Sequence, residues 1–304
     1  MLKQLKESAK HGLAAGQGHA PARPDWTIDQ GWSKYTPEEH AVWRTLFERQ
    51  SKLLPGRACD EFILGMQDLP IGPEQIPDFE QMSKVLKKRT GWEVVAVPGL
   101  VPDDVFFDHL AHRRFPAGQF IRKPHELDYL EEPDVFHDVF GHVPMLMNPV
   151  IADYIQAYGE GGLRAHRLGV LDKLARVYWY TVEFGLVQQA DGLRIYGAGI
   201  ASSASETRFA VEDDSPNRVR FRLERVMQTR YRIDDFQETY FVLGNLDELL
   251  ELARIDFGPL YERLAGRPEH EAGQVLPDDT VVTRGTGRYH AARRAAAGAQ
   301  TAAA

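Results

Sequence analysis

The chain has 304 residues, of which 43% are hydrophobic and 26% charged, and its formal net charge at pH 7 is −8. This size and composition are typical of a globular protein, and the negative charge argues against broad attraction to nucleic acid or anionic lipid. The single cysteine, Cys59, excludes an intramolecular disulfide, a cysteine-based zinc site and an iron–sulfur cluster, so we expect a cytoplasmic protein.

The two ends of the chain are predicted to be flexible tails. Residues 1–32 lack apolar periodicity and the apolar core of a secretion signal, and no segment of the chain approaches the ~20 apolar residues that span a bilayer. Residues 266–304 end in an alanine-rich run with almost no large apolar face to dock. We therefore expect a protein without membrane association, with its chemistry in a single domain at 33–265.

The segment between the tails is predicted to be mainly helical. Thr36 is a helix cap before Pro37, and aromatic residues and leucines then recur at helical spacing until Pro55. Helical periodicity also covers six later segments, at 57–69, 77–91, 102–115, 150–166, 171–187 and 245–266, the last broken near Asp256. Strand signals are short and lie at 92–99, 118–123, 193–199 and 238–245. The expected fold class is mainly α with a few short β-strands.

Two histidines in the segment PDVFHDVFGHVP form the first half of a candidate metal site. His137 and His142 are five residues apart, which places them roughly 140° apart around an ideal helix. Since Gly141 and Pro144 flank His142, we predict that a helix begun near Asp134 ends at Gly141 and turns His142 back toward His137. This spacing differs from the H-E-x-x-H pattern of zinc proteases.

The third candidate ligand is Glu183, in the aromatic run ARVYWYTVEFG. A carboxylate among aromatic side chains is costly to bury unless it is paired, protonated or bound to a metal. Two imidazoles and one carboxylate leave coordination positions open for dioxygen and substrate, as in non-haem iron(II) oxygenases. The same ligands also serve catalytic zinc, and a metal-stabilised interaction protein without activity is a further alternative.

Several longer motifs together resemble one family. They extend from about Tyr35 to Leu264 and include KLLPGRACDEF, VPGLVPDDVFF, EPDVFHDVFGHVP, YWYTVEFGL, RIYGAGIASS and SPNRV. In these motifs the chain resembles the pterin-dependent aromatic amino acid hydroxylases, most closely their short bacterial members that act on phenylalanine. The resemblance implies a single-domain helical basket around a central iron(II), and it favours iron over zinc.

The resemblance also implies roles for individual residues. The iron ligands are His137, His142 and Glu183. Arg122 pairs bidentately with the amino-acid carboxylate, for which a planar guanidinium is suited. The rest of the substrate pocket consists of Pro133, Trp179, Phe184 and Ser202, and Ser202 also orients an iron-bound imidazole. The residues implied for pterin binding are Gly99, Val101, Phe106, Asp138 and Tyr178. No side chain beyond the iron site is expected to be catalytic.

The implied reaction converts L-phenylalanine, dioxygen and a reduced tetrahydropterin to L-tyrosine and a 4a-hydroxypterin. Hydroxylation of tryptophan or tyrosine at the same site is one alternative, and a zinc hydrolase with Asp138 as general base is another. Compared with the animal members, the chain has Asp138 in place of glutamate, Leu130 in place of threonine and Pro116 in place of histidine. It also lacks their regulatory domain and tetramerisation helix, so we expect a monomer.

Overall fold

The computed structural model describes residues 22–128 and 132–303. Residues 1–21 of the predicted N-terminal tail, and Leu130, lie outside the described residues. The α-helices are α1 (Pro37–Leu53), α2 (Asp60–Asp68), α3 (Phe79–Arg89), α4 (Asp103–Ala111), α5 (Pro149–Leu168), α6 (Leu171–Tyr178), α7 (Ala198–Ala201), α8 (Ala204–Val211), α9 (Leu223–Met227), α10 (Glu248–Ala253), α11 (Gly258–Leu264) and α12 (Arg288–Ala303). No helix in these two ranges is both long enough and apolar enough to cross a membrane.

Other elements complete the secondary structure. Two segments are π-helical, π1 (Phe136–His142) and π2 (Trp179–Glu183), and 3₁₀ turns lie at Trp32–Lys34, Pro124–Glu126 and Val143–Met147. The strands are β1 (Glu93–Val97), β2 (Arg114–Gly118), β3 (Leu186–Gln189), β4 (Gly192–Ile195), β5 (Asn217–Arg220), β6 (Thr239–Leu243) and β7 (Val281–Thr283). The expected mainly α fold class with a few short strands is confirmed.

Helix α1 begins where its cap predicts. The Thr36 hydroxyl accepts a hydrogen bond from the Glu39 N–H, and the Glu39 carboxylate accepts one from the Thr36 N–H, at 3.2 and 2.7 Å. This reciprocal capping box satisfies two N–H groups that a helix start otherwise leaves unpaired. Trp43 and Leu46 lie on the buried face of the helix. The break predicted near Asp256 also appears, between α10 and α11.

The strands form two small sheets. Strands β1 and β2 pair in parallel, and the larger sheet has the order β4-β3-β6-β5-β7. The strand predicted at 118–123 lies earlier in the chain, at β2. The backbone after Gly118 contacts the segment 134–142, here called the ligand segment because it carries the candidate ligands His137 and His142, instead of a strand. The Phe120 carbonyl accepts a hydrogen bond from the Val135 N–H at 2.8 Å, and the Arg122 N–H donates to the Asp134 carboxylate at 2.9 Å.

The segment predicted to be a C-terminal tail packs on the domain. Strand β7 pairs antiparallel with β5, and the carboxylate of Asp279 contacts the buried guanidinium of Arg225 at 3.0 Å. Farther on, His290 in α12 is only 3% exposed. An alanine-rich composition predicts a loose end, but these few side chains make contacts with distant parts of the chain that the composition does not show.

Helices α4 and α5 approach closely through glycines. A Cβ at Gly162 would lie 2.0 Å from the ring of Phe107, and one at Gly159 would lie 2.4 Å from the backbone nitrogen of Ala111. Because glycine has no side chain at either position, the two helices can pack with their backbones almost in contact. This contact holds α4, and with it Phe106, against one side of the cleft described below.

Candidate active site

The two histidines lie on π1, and the π-helix explains their spacing. In a π-helix the backbone bonds run from residue i to i+5, so residues five apart lie one turn apart. His137 and His142 therefore face the same way, and their Nε2 atoms are 3.3 Å apart. The prediction of a helix that ends at Gly141 is wrong, since π1 continues through His142.

Gly141 is required for a different reason. A Cβ at this position would lie 2.8 Å from the backbone oxygen of Ala198, at the start of α7. Helix α7 therefore packs directly on the backbone of π1. This contact brings Ser202, which immediately follows α7, next to the first histidine.

Glu183 reaches the same point from the second π-helical segment. Its Oε1 lies 3.1 Å from His142 Nε2, and its Oε2 lies 3.6 Å from His137 Nε2. One ligand atom from each of the three residues lies within 4.8 Å of the others, and among the described ranges this is the cluster of histidine and acidic side chains that could hold a metal ion. Three side chains from two π-helices thus converge on one point.

The hydrogen bonds of Ser202 define the tautomer of His137. The Ser202 hydroxyl donates its proton to the Ala198 carbonyl at 2.8 Å, so its oxygen is left to accept from His137 Nδ1 at 2.9 Å. The proton of a neutral His137 ring is therefore on Nδ1, and the lone pair of Nε2 points to Glu183 and His142. This is the form of histidine that binds a metal through Nε2.

Burial and charge set the protonation of the three groups. Burial lowers the pKa of His137 to about 4, against the opposing effect of the Glu183 carboxylate. Burial also disfavours charge on His142, but contact with Glu183 outweighs it and raises the pKa of that ring. Burial likewise opposes ionisation of Glu183, whereas the two histidines lower its pKa. An ionised carboxylate beside a neutral imidazole is the state that suits a divalent cation.

Arg122 is buried against Asp134 at the edge of the site. Its Nε and Nη2 contact the two oxygens of Asp134 at 2.8 and 2.9 Å, and the side chains are 8% and 0% exposed. Asp134 also accepts the N–H of His137 at 3.0 Å. The bidentate edge of the guanidinium thus faces Asp134 rather than the open cleft, and Nη1, with its longer 3.5 Å contact to the Leu127 carbonyl, remains for a ligand.

An aromatic wall lines the cleft beside the three candidate ligands. The indole of Trp179 lies between the rings of Phe184 and Tyr231, with centroid distances of 4.8 and 4.5 Å. Its N–H donates to the side-chain oxygen of Gln237 at 3.0 Å. Pro133 lines the same cleft near Arg122. The wall is therefore built from π2 and from the segment that precedes β6.

The residues implied for pterin binding line another part of this cleft. The rings of Phe106 and Tyr178 meet edge to face at 6.0 Å, and Gly99 and Val101 lie on the loop that enters α4. Asp138 accepts the Gly118 N–H at 2.7 Å. Burial raises the pKa of Asp138 to about 7, and the bond from Gly118 opposes this shift. Pro116 also lines the cleft.

All thirteen residues that the sequence indicated line one cleft of about 2010 Å³. The sequence did not single out Asp134, Tyr231, Gln237 or Tyr289, which support or line the same cleft. Asp134 could have been found, because an aspartate three residues before a ligand histidine can accept its backbone N–H. The other three carry no local signal for the cleft, since contacts such as that of Gln237 with Trp179 join residues that are distant in the chain.

The sequence of the chain is similar to those of known proteins. The family model described as biopterin-dependent aromatic amino acid hydroxylase matches residues 31–256. A curated phenylalanine-4-hydroxylase from Caulobacter vibrioides is 64% identical over 91% of this chain and 95% of its own length. One from Chromobacterium violaceum is 56% identical over 86% of this chain and 88% of its own length.

Solved structures agree with these relatives. A crystal structure of phenylalanine hydroxylase from Chromobacterium violaceum with iron and phenylalanine bound has a TM-score of 0.83 and 53% identity, covering 88% of this chain and 97% of its own. A cobalt-bound structure of the same enzyme has a TM-score of 0.85 and 55% identity, covering 88% and 96%. The similarity therefore extends over nearly the whole length of these proteins.

Proposed function

The chain belongs to the biopterin-dependent aromatic amino acid hydroxylases, and on that premise we propose how its residues hydroxylate L-phenylalanine to L-tyrosine. It is an oxidoreductase that uses dioxygen and a reduced tetrahydropterin, and iron(II) is its metal. The observation that supports this function best is the convergence of His137, His142 and Glu183 within 4.8 Å, next to an aromatic wall in one cleft.

The three ligands fit iron(II). The Nε2 lone pair of His137 is free because Ser202 holds the proton on Nδ1, and Glu183 supplies a negative charge that offsets half of that of a divalent ion. Two imidazoles and one carboxylate on one side leave the other side accessible from the cleft. When bound there, iron supplies the activation of dioxygen, while the pterin supplies two electrons.

The substrate is held at both of its ends. We place the carboxylate of phenylalanine on the Nη1 side of Arg122, which Asp134 holds rigidly and whose planar guanidinium suits a carboxylate. The phenyl ring lies against Trp179 and Phe184, with Pro133 on the same side. Ser202 contributes through His137, whose orientation it maintains. These contacts orient the ring toward the ligand cluster and exclude water from it.

The part of the cleft lined by Phe106 and Tyr178 would hold the pterin. The ring of Phe106 provides a stacking surface, and the backbone around Gly99 and Val101 provides hydrogen-bonding groups. Asp138 and Tyr178 line this side, and burial raises the pKa of the Tyr178 hydroxyl, so that it stays protonated. The side chains here bind and orient the pterin, and none acts as a nucleophile.

We also propose a cytoplasmic monomer. Its catalytic domain, predicted at 33–265, extends into both segments predicted to be tails, since Ile28 is buried and strand β7 pairs with β5. The one cysteine, Cys59, is buried and unpaired, as suits a reducing compartment. The large hydrophobic side chains that are exposed in the described ranges are few, namely Leu64, Leu168, Ile233 and Val282, and no two of them belong to the same helix or strand, which supports the monomer. Light scattering on the purified protein tests the monomer.

The test of the function compares metals and amino acids. We expect iron(II)-loaded protein to form tyrosine from phenylalanine with matching oxidation of tetrahydropterin, and to act more slowly on tryptophan and tyrosine. Glu183→Ala removes a ligand and abolishes both metal binding and activity, whereas the exposed Glu38→Ala serves as a control and keeps both. Hydrolysis supported by zinc without pterin oxidation, or full activity of Glu183→Ala, would overturn the assignment.

A further inference from the structure

The aromatic wall depends on a segment that the ligand motifs do not include. Residues 231–237 connect the region after α9 to β6, and they place Tyr231 against the indole of Trp179 at a centroid distance of 4.5 Å and an interplanar angle of 23°. Phe184 contacts the indole at 4.8 Å and 35°. Stacking limits the tilt of the indole, but it leaves the ring free to turn within its own plane.

A hydrogen bond to Gln237 restrains the rotation of the indole that stacking leaves free. The side-chain oxygen of Gln237 accepts the indole N–H of Trp179 at 3.0 Å and the backbone N–H of Arg232 at 3.3 Å, and its side-chain nitrogen donates to the Arg232 carbonyl at 2.8 Å. These backbone partners leave one orientation of the amide, with oxygen toward the indole. Gln237 is 1% exposed, so the amide has no water to replace these partners.

The C-terminal helix holds this segment in place. The Tyr289 hydroxyl donates to Asp235 at 2.8 Å, and Arg293 contacts the other oxygen of Asp235 at 3.2 Å. The ring of Phe236 packs on Tyr289 at 5.1 Å. Tyr289 and Arg293 lie outside the residues 31–256 that the family model matches. Two parts of the chain, the backbone turn at Arg232 and helix α12, thus restrain Gln237 from both sides.

We propose that Gln237 is a positioning residue, which fixes the indole of Trp179 and thereby determines which aromatic ring the pocket accepts. The inference rests on the proposed function in one respect, since it requires Trp179 to form the substrate wall. In this proposal Gln237 acts on the substrate through the indole of Trp179. Its effect passes through one hydrogen bond, and a wall that can turn admits a larger ring and holds a phenyl ring less firmly.

The experiment is a double-mutant cycle on iron-loaded enzyme. Gln237→Met keeps the volume of the side chain and removes its hydrogen bonds to the indole and to the Arg232 backbone, and Trp179→Phe removes the indole N–H. Gln228→Met is the matched control, because Gln228 is similarly buried and donates to the Glu224 carbonyl away from the cleft. For each variant we measure kcat and KM for phenylalanine and tryptophan, pterin oxidised per product formed, iron content and Tm.

We expect Gln237→Met to raise KM for phenylalanine about 3- to 10-fold, as the loss of the buried hydrogen bond to the indole predicts, with a smaller change in kcat. The ratio of kcat/KM for phenylalanine to that for tryptophan falls by a similar factor, and iron content is unchanged. In the Trp179→Phe background Gln237→Met adds no further change in this ratio, because the bond is already absent. Gln228→Met lowers Tm and leaves the ratio unchanged.

The outcomes separate the two proposals. If Trp179→Phe alters the ratio but Gln237→Met does not, the proposed positioning role of Gln237 is wrong, whereas the assignment of Trp179 to the substrate pocket is retained. If the effects of the two substitutions on the ratio simply add, Gln237 does not act through Trp179 and the inference is likewise overturned. If Trp179→Phe itself leaves ring preference unchanged, the assignment of Trp179 in the proposed function fails.

Discussion

Arg122 and Asp134 form a buried ion pair in which the guanidinium meets both carboxylate oxygens, at 2.8 and 2.9 Å. The same carboxylate accepts the backbone N–H of His137 at 3.0 Å. One aspartate therefore connects the residue proposed to bind the substrate carboxylate with the backbone of a proposed iron ligand. Displacement of either partner changes the distance between substrate and metal site.

Removal of the Asp134 carboxylate is expected to destabilise the folded protein strongly. Asp134→Ala leaves the Arg122 charge buried and unpaired, which costs about 3–5 kcal/mol of unfolding free energy. Urea unfolding measures this loss. The double variant Arg122→Met with Asp134→Leu restores part of the stability, since it removes both charges, but binds phenylalanine poorly. Equal stability of Asp134→Ala and the unsubstituted protein would contradict the importance of the pair.

Substitution of Ser202 tests the control of the histidine tautomer. Ser202→Ala removes the acceptor for His137 Nδ1, so the ring can turn and its proton can move to Nε2. We expect iron affinity to fall roughly 10- to 100-fold, as for other partners that orient metal-bound histidines. Metal titration under anaerobic conditions gives the affinity. Ser51→Ala, at an exposed site on α1, is the control and should bind iron normally.

The contact between π1 and α7 leaves no space for a methyl group. Gly141→Ala places a Cβ 2.8 Å from the Ala198 carbonyl oxygen, so the two segments must separate. The expected loss is about 1–3 kcal/mol of stability together with lower iron occupancy, because α7 leads to Ser202. Gly298→Ala, in the exposed part of α12 where nothing lies within 4 Å, is expected to be neutral or stabilising. A full complement of iron in Gly141→Ala would contradict this account.

Glu206 makes stability depend on pH. Burial raises its pKa to about 7, against hydrogen bonds from Tyr240 and the Gln237 N–H, and Asp235 raises it further. Between pH 4.5 and 7 the unfolded chain releases this proton while the folded chain retains it, so stability falls as pH rises through that window. The contribution of this group is up to about 3 kcal/mol.

Glu206→Gln is expected to remove that contribution. The variant should lose less stability than the unsubstituted protein between pH 5 and pH 7.5, as urea unfolding at each pH shows. The exposed substitution Glu38→Gln is the control and should follow the unsubstituted protein. Parallel pH profiles for Glu206→Gln and the unsubstituted protein would show that Glu206 ionises normally in the folded state.

Much of the fold follows from local signals in the sequence. Thr36, Pro37 and Glu39 specify the start of α1 through contacts within four residues, and the break near Asp256 also depends on neighbours in the chain. The strand predicted at 118–123 shows the limit of such signals. The backbone groups of Phe120 and Arg122 form hydrogen bonds with Val135 and Asp134, which belong to the ligand segment. No local sequence pattern indicates these partners.

The sequence by itself indicated the candidate ligands, His137, His142 and Glu183, and the residues around them, because long motifs of the chain resemble one family. Only the tertiary structure decided how five-residue spacing brings the two histidines together, because a π-helix is stabilised by packing and not by local propensity. The same holds for Gln237, whose bond to Trp179 joins residues 58 apart in the chain, and for α12, whose side chains find their partners only after folding. Local interactions are encoded within a few residues, whereas these contacts exist only once distant segments meet.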